Sequence, residues 1–178
     1  MAVLYILCGA PGSGKTTWAN KFMQEHENEN IAYVSRDEVR FSMLKEGEEY
    51  FAHEKEVFQR FTKLISLSLT EGHDTIADAT HLNKYSRKRL LDAIDYTIKD
   101  YFIVYVFFNT SYTECLARND QREGLAWVNP DVLAGMFRSL KRPDLSEDAR
   151  AISILDIGED KHDQSYMLAP YRKEKTNE

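Results

Sequence analysis

The sequence predicts an α/β fold built on a mostly parallel sheet with helices on both faces. Three observations predict it. Apolar strand-like runs alternate with amphipathic helix-like runs along most of the 178 residues. The runs Val3-Leu4-Tyr5-Ile6-Leu7-Cys8 and Tyr101 to Phe108 are apolar almost throughout, as strands buried on both sides are. The first of them leads into Gly9-Ala10-Pro11-Gly12-Ser13-Gly14-Lys15-Thr16, which fits the phosphate-binding pattern Gly-x4-Gly-Lys-[Ser/Thr] at every fixed position.

The elements follow in order. A helix from about Lys15 to Glu25 leaves the loop, and a polar stretch, Glu25 to Asn30, ends it. Ile31-Ala32-Tyr33-Val34 reads as a second strand. Ser35-Arg36-Asp37-Glu38 fits a capping box that opens a helix. A long helix is expected from about Glu49 to Thr70, with Val57, Phe58, Phe61, Leu64, Ile65 and Leu69 at helical spacing, closed by Glu71-Gly72-His73. Thr75-Ile76-Ala77-Asp78 is the third strand, Tyr85 to Ile98 a helix, and Tyr101 to Phe108 the fourth strand. Ser111 to Arg122 and Pro130 to Lys141 read as helices, the latter with Pro130 at its first position. Ile152-Ser153-Ile154-Leu155 is a last short strand. The length fits one domain over residues 1–178, with 158–178 expected as a flexible polar tail.

Composition excludes several classes. With 43% hydrophobic and 29% charged residues the chain reads as globular rather than disordered or fibrous. No apolar run approaches the roughly 20 residues that span a bilayer, so no membrane partner is expected. The N-terminus lacks a basic region and a cleavage site, so no targeting peptide is expected either. The two cysteines, Cys8 and Cys115, lie far apart, against a metal cluster or disulfide framework and in favour of a cytoplasmic setting. A net charge of −6 argues against coating of long duplex nucleic acid, but leaves room for a small basic cleft that takes one strand end.

Each residue of the loop has a physical task. Its glycines let backbone N–H groups turn inward on phosphate oxygens, and the helix that begins with Lys15, Thr16 and Thr17 adds its positive end. Lys15 would bring a full charge to the outer phosphates, and Thr16 a hydroxyl to Mg2+. The expected ligand is a nucleoside triphosphate.

In parallel α/β sheets ligands sit at the carboxyl ends of the strands, which selects three polar sets. Asp37, just past the second strand, could take a proton from an attacking hydroxyl, with Arg40 on the same helix face to hold an acceptor phosphate. Equally, Asp37 could be an acid favoured by the helix N-terminus. Asp78, ending the third strand, could order Mg2+ waters, pin a basic residue, or cap the next helix. Arg118 and Arg122, four apart, would share a helix face and close over the triphosphate, or pair with Glu114, Asp120 or Glu123 at the surface. His81 reads as a solvent-facing loop residue. Arg87-Lys88-Arg89 reads as a solvated helix face, and Arg138, Lys141 and Arg142 as additions to a basic rim.

Gly9 to Trp18, Ser35-Arg36-Asp37-Glu38-Val39-Arg40, Ile76-Ala77-Asp78-Ala79-Thr80 before Leu82-Asn83, and Arg118-Asn119 with Arg122 before Pro130 and Val132-Leu133 stand in one order. Together they resemble the 5′-kinase domain of bacteriophage polynucleotide kinase and the related small P-loop kinases, over most of the first roughly 145 residues. The resemblance implies a P-loop kinase fold, ATP and Mg2+ as cofactors, and the single-stranded 5′-OH end of RNA or DNA as acceptor. It implies that the match to Asp37 is the general base, that the match to Arg40 contacts the acceptor's 3′-phosphate, and that the match to Arg122 engages the ATP phosphates. Lys15 and Thr16 would hold phosphate and Mg2+, and Asp78 would support the site. Two positions depart: Asp78-Ala79-Thr80-His81 stands where the family more often has Asp-Thr-Asn, and Glu123 where the phage enzyme has glycine. Adenylate-type kinases carry glycine after the lysine, and GTPases carry Asp-x-x-Gly and Asn-Lys-x-Asp, none of which this chain has. A small-molecule hydroxyl kinase and a non-catalytic ATP-binding switch use the same loop and remain alternatives.

Overall fold

The computed structural model describes residues 1–27 and 29–158, so the expected tail from Glu159 lies outside the described residues. In chain order the elements are β1 (Val3–Cys8), α1 (Lys15–Glu25), β2 (Ile31–Ser35), α2 (Arg36–Phe41), α3 (Glu54–Thr70), β3 (Asp74–Asp78), α4 (Lys84–Asp95), β4 (Phe102–Phe108), α5 (Tyr112–Asp120), α6 (Pro130–Ser139) and β5 (Ala151–Ile157). The strands form one sheet in the order β2-β3-β1-β4-β5, and every neighbouring pair is parallel. From β1 the chain moves outward to β2, returns to β3, then crosses to β4 and β5. The crevice at the end of β1 is therefore where connections part to either side, the position at which such sheets take ligands.

Both faces of β1 are buried, which accounts for its unbroken apolar run. Leu4, Ile6 and Cys8 pack with Phe61, Ile65 and Leu69 of α3 and with Leu90, Leu91 and Ile94 of α4. Leu7 faces the other way, onto Ala19 of α1, with Trp18, Phe22 and Met23 at the margin. Beyond the end of β1, Ala10 packs with Tyr112 and Cys115 of α5 and with Leu133, Ala134 and Phe137 of α6. That third cluster seats the loop.

Several boundaries differ from the expectation. α3 begins at Glu54 rather than near Glu49, because the Glu48 carboxylate accepts from the Lys45 N–H at 2.9 Å and meets the His53 ring at 2.9 Å, closing a loop ahead of it. Leu64, counted on its apolar face, is exposed. α4 begins at Lys84 because Asn83 and Ser86 form a reciprocal capping box, so Asp78 does not cap it. α5 stops at Asp120, which leaves Arg122 beyond the helix.

Two charged or titratable groups expected in solvent are buried. Arg87 is 1% exposed, because its position three, four and seven residues before Leu90, Leu91 and Ile94 places it on the inward stripe of α4. Its guanidinium donates to both carboxylate oxygens of Glu147, at 2.7 and 2.6 Å, and to the backbone carbonyls of His81 and Lys141. His81 is buried too, with φ at +38° and its Nδ1 2.8 Å from the carbonyl of Leu7. Of the expected basic rim, Arg142 is paired with Asp156 of β5.

Candidate active site

The loop between β1 and α1 is held from three sides. The Gly9 N–H donates to the carbonyl of Thr80, Thr110 Oγ1 donates to the carbonyl of Ser13, and Arg118 Nη1 donates to the carbonyl of Gly12. Gly12 has φ at +80°, and a Cβ there would stand 2.8 Å from the carbonyl oxygen of Cys115, so both backbone and space demand glycine. Gly14, at φ +97°, turns the chain into α1 without offering a side-chain cap. By contrast Ser35, Asn83, Ser111 and Asn129 cap α2, α4, α5 and α6. The first-turn N–H groups of Lys15, Thr16 and Thr17, which a helix cannot satisfy internally, thus face the loop's concavity with the positive end of the helix dipole. Ser13 Oγ is buried there without a hydrogen-bond partner.

Lys15 curls back over this concavity, its ammonium donating to the carbonyls of Gly9 and Ala10 at 3.0 and 2.8 Å. Burial lowers its pKa, and the Asp78 carboxylate opposes that shift. A cavity of about 810 Å³ opens alongside, in the size range of small-molecule sites. Lys15, Thr16, Thr17, Arg118 and Arg122 line it together with Trp18 and Phe108. Arg118 also pairs with Glu114, as the surface alternative had it, while reaching the loop. With Gly12, Ser13 and Gly14, which also line it, eight of the residues expected at the nucleotide site meet in one cavity. Asp37, Arg40 and Asp78 do not line it.

Those three stand at the ends of the neighbouring strands. Ser35 of β2 is in register with Asp78 of β3, which places Asp37 and Asp78 on the carboxyl edge of the sheet, Asp78 next to β1 and Asp37 one strand further out. Asp78 is buried, and its Oδ2 accepts from Thr16 Oγ1 at 3.1 Å and from the Tyr33 hydroxyl at 2.6 Å. Asp37 is exposed, and its Oδ1 accepts from Arg40 Nη1 at 2.5 Å and from the Tyr50 hydroxyl at 2.6 Å. Arg40 is 4% exposed, its Nη2 donating to Glu54 Oε2 at 2.8 Å, while Arg36 takes the other oxygen of Glu54. The Nε of both arginines is buried without a partner. Burial first, then the hydrogen bond to Asp37, raises the Tyr50 pKa.

Tyr33, Tyr50 and Glu54 were not singled out in the sequence. Tyr33 stands inside a strand, Glu54 reads as one more acid of a helix, and Tyr50 sits in a stretch with no periodicity. Nothing local marks them.

Among the described residues no group of three or more His, Cys, Asp or Glu side chains is arranged to hold a metal. Mg2+ beside a phosphate chain needs less: one or two protein oxygens, with phosphates and water completing the octahedron. Thr16 Oγ1 with Asp78 Oδ2 beside it, at the mouth of the loop, is such a donor set, so the residues fit the ion.

The wholly parallel sheet, the strand order and a phosphate-loop pattern matched at every fixed position define a P-loop kinase fold. The chain belongs to the family described as an AAA domain, whose model matches residues 4–143. Solved structures share the fold. The Pnkp1/Rnl/Hen1 RNA repair complex contains a chain that matches 78% of this one at 22% identity and a TM-score of 0.66, with 44% of that chain covered. A fungal RNA kinase matches 94% of this chain at 14% identity and a TM-score of 0.61, with 41% of it covered. A sugar kinase from Janibacter sp. HTCC2649 matches 88% of this chain at 16% identity and a TM-score of 0.60, with 86% of it covered. This chain therefore spans less than half the length of the two RNA-related chains. Among the described residues no helix is long and apolar enough to cross a membrane.

Proposed function

We propose that the protein transfers the γ-phosphate of Mg2+-bound ATP to the 5′-hydroxyl of an RNA or DNA strand. The observation that carries this reading is the carboxylate of Asp37, exposed just past the carboxyl end of β2 and held through Oδ1 by Arg40 and Tyr50. A base fixed in that way can meet a hydroxyl without first being ordered.

In this reading Lys15 leaves the carbonyls of Gly9 and Ala10 for the outer phosphates, and the N–H groups from Gly14 through Thr17 cradle the phosphate chain. Thr16 would hold Mg2+ and Asp78 would orient its waters, the ion supplying neutralisation of the phosphate oxygens. Asp37 accepts the proton of the acceptor hydroxyl as that oxygen bonds to the γ-phosphorus and the bond to the β,γ-bridging oxygen breaks, releasing ADP. Arg118 and Arg122 draw in charge on the phosphates from the cavity wall. Arg40 positions Asp37, and contact with an acceptor phosphate would require it to exchange a carboxylate partner.

The likeness to an RNA repair complex and a fungal RNA kinase supports a strand end as acceptor. The sugar kinase, matched over nearly its whole length, favours a second reading, a small-molecule hydroxyl. Labelled γ-phosphate transfer to a short 5′-OH oligonucleotide, beside a 3′-nucleotide, a monosaccharide and no acceptor, separates them. The expected outcome is label on the oligonucleotide, reduced roughly 10²- to 10⁴-fold in Asp37→Ala with ATP affinity nearly unchanged, and abolished in Lys15→Ala. Label on the monosaccharide alone would replace the acceptor, and lost ATP binding in Asp37→Ala would remove that residue from the role of base.

A further inference from the structure

Next to Asp37 stands an aromatic group that the reaction chemistry does not use. Phe51 is 64% exposed and Phe41 43% exposed. Both rings lean on Tyr50, Phe51 edge-to-face at 4.7 Å between centroids and Phe41 at 6.2 Å. Tyr50 is itself fixed, its hydroxyl on Asp37 Oδ1 and its ring 4.2 Å from the guanidinium carbon of Arg40. Phe51 is thus an open ring carried on a rigid partner, joined to the carboxylate through one hydrogen bond. Whatever brings a hydroxyl to Asp37 brings its neighbouring atoms toward that ring.

The surroundings narrow what those atoms are. Glu46 and Glu49 are exposed and Glu48 half-buried in the same loop, against one exposed cation, Lys45, so the outer rim is acidic on balance. A phosphate backbone running outward past this rim gains no attraction from it. Affinity for an anionic acceptor at this place has to come from a group indifferent to that charge. A stacked base is such a group, since every base has a π-face and stacking on an aromatic side chain needs no counter-charge. The anion-compatible part of the site lies inward, where Arg36 and Arg40 share Glu54.

We propose that Phe51, supported by Phe41 and Tyr50, is the stacking surface for the nucleobase of the terminal nucleotide that carries the accepting hydroxyl. This rests on the reading of the protein as a kinase of strand 5′ ends, and it makes the acceptor a base-bearing one. Recognition then concentrates on the first nucleotide rather than on a long stretch of backbone.

The test compares two 5′-OH oligonucleotides that differ only at the first residue, one a normal nucleotide and one an abasic sugar. Wild type, Phe51→Ala and Phe51→Trp are assayed with each, at saturating ATP and across acceptor concentration. The expected result is a rise in acceptor KM of roughly 5- to 100-fold for Phe51→Ala with the normal acceptor, no change in KM for ATP, and recovery in Phe51→Trp. The abasic acceptor should already be poor for wild type and no worse for Phe51→Ala. Because Phe51 is largely exposed, its truncation leaves the core untouched, and an unchanged KM for ATP confirms that. Equal use of both acceptors by wild type, or an equal loss on both in Phe51→Ala, overturns the stacking role while leaving the kinase reading in place. Transfer to neither oligonucleotide but to a monosaccharide overturns both.

Discussion

Thr16 Oγ1 donates to Asp78 Oδ2 across 3.1 Å, joining the first turn of α1 to the end of β3. The hydroxyl that the phosphate-loop pattern reserves for a metal is thereby already aligned by a buried carboxylate, which the Tyr33 hydroxyl holds in turn. If Asp78 orients the ion's shell, Asp78→Ala should raise the Mg2+ concentration for half-maximal transfer roughly 10-fold or more, in line with losses seen when supporting ligands are removed. Tyr33→Phe should shift it less. Magnesium titrations of the transfer rate at fixed ATP decide this, and a curve unmoved in Asp78→Ala would leave that residue a structural role alone.

Gly12 and Gly47 share nearly the same backbone, φ +80° and +83°, in unlike surroundings. At Gly47 an added Cβ meets nothing within 4 Å, whereas at Gly12 it meets the Cys115 carbonyl at 2.8 Å. Gly47→Ala should therefore cost only the left-handed backbone strain, about 1–2 kcal/mol, and leave ATP binding intact. Gly12→Ala should in addition push the loop off α5 and weaken ATP binding by at least roughly 10-fold, about 1.4 kcal/mol. Nucleotide titration with thermal unfolding of both variants separates strain from displacement.

Arg87 and Glu147 form a buried, two-pronged ion pair between α4 and the turn before β5. Removing one charge strands the other, so Arg87→Met should destabilise the fold by about 3–5 kcal/mol. The double change Arg87→Met with Glu147→Leu should recover a large part of that loss, because the stranded carboxylate is gone. Denaturant unfolding of the single and double variants measures it. Equal instability in both would show that the arginine's bonds to the His81 and Lys141 carbonyls matter more than its charge pair.

Burial pushes the His81 imidazole from 6.5 down to about 4. Between those values the unfolded chain binds a proton that the native chain refuses, so stability rises with pH through this window. The contribution is fully present above about pH 6.5, and about 3 kcal/mol of it is lost as pH falls to 4. His81→Asn, chosen because asparagine tolerates the positive φ, should flatten that slope. Unfolding free energies measured across the window would contradict the assignment if wild type and variant showed equal slopes.

The fold was legible wherever its signal was contiguous. The apolar runs marked the strands, and Ser35 and Pro130 marked helix starts that the structure keeps, whereas the Asn83–Ser86 capping box of α4 went unread. Helix ends were less legible. Arg122, four residues from Arg118, was placed on the same helix, yet α5 stops at Asp120. Arg87 was misread for a related reason. A basic triplet looks like a solvated face, but rotation along α4 sends its first member inward with Leu90, Leu91 and Ile94 and its second out to Asp92.

By itself the sequence determined the phosphate loop, the class of fold that must present it, and the carboxylates at the strand ends, because each depends on residues that are neighbours in the chain. Only the tertiary structure decided the partners of those carboxylates. Thr16 meets Asp78 across 62 positions and Arg87 meets Glu147 across 60, contacts set by the order of strands in the sheet. The anchoring of Asp37 by Tyr50 depends likewise on how the stretch between α2 and α3 folds back, which no periodicity records. Local spacing selects an element, and the packing of elements then decides which side chains face one another.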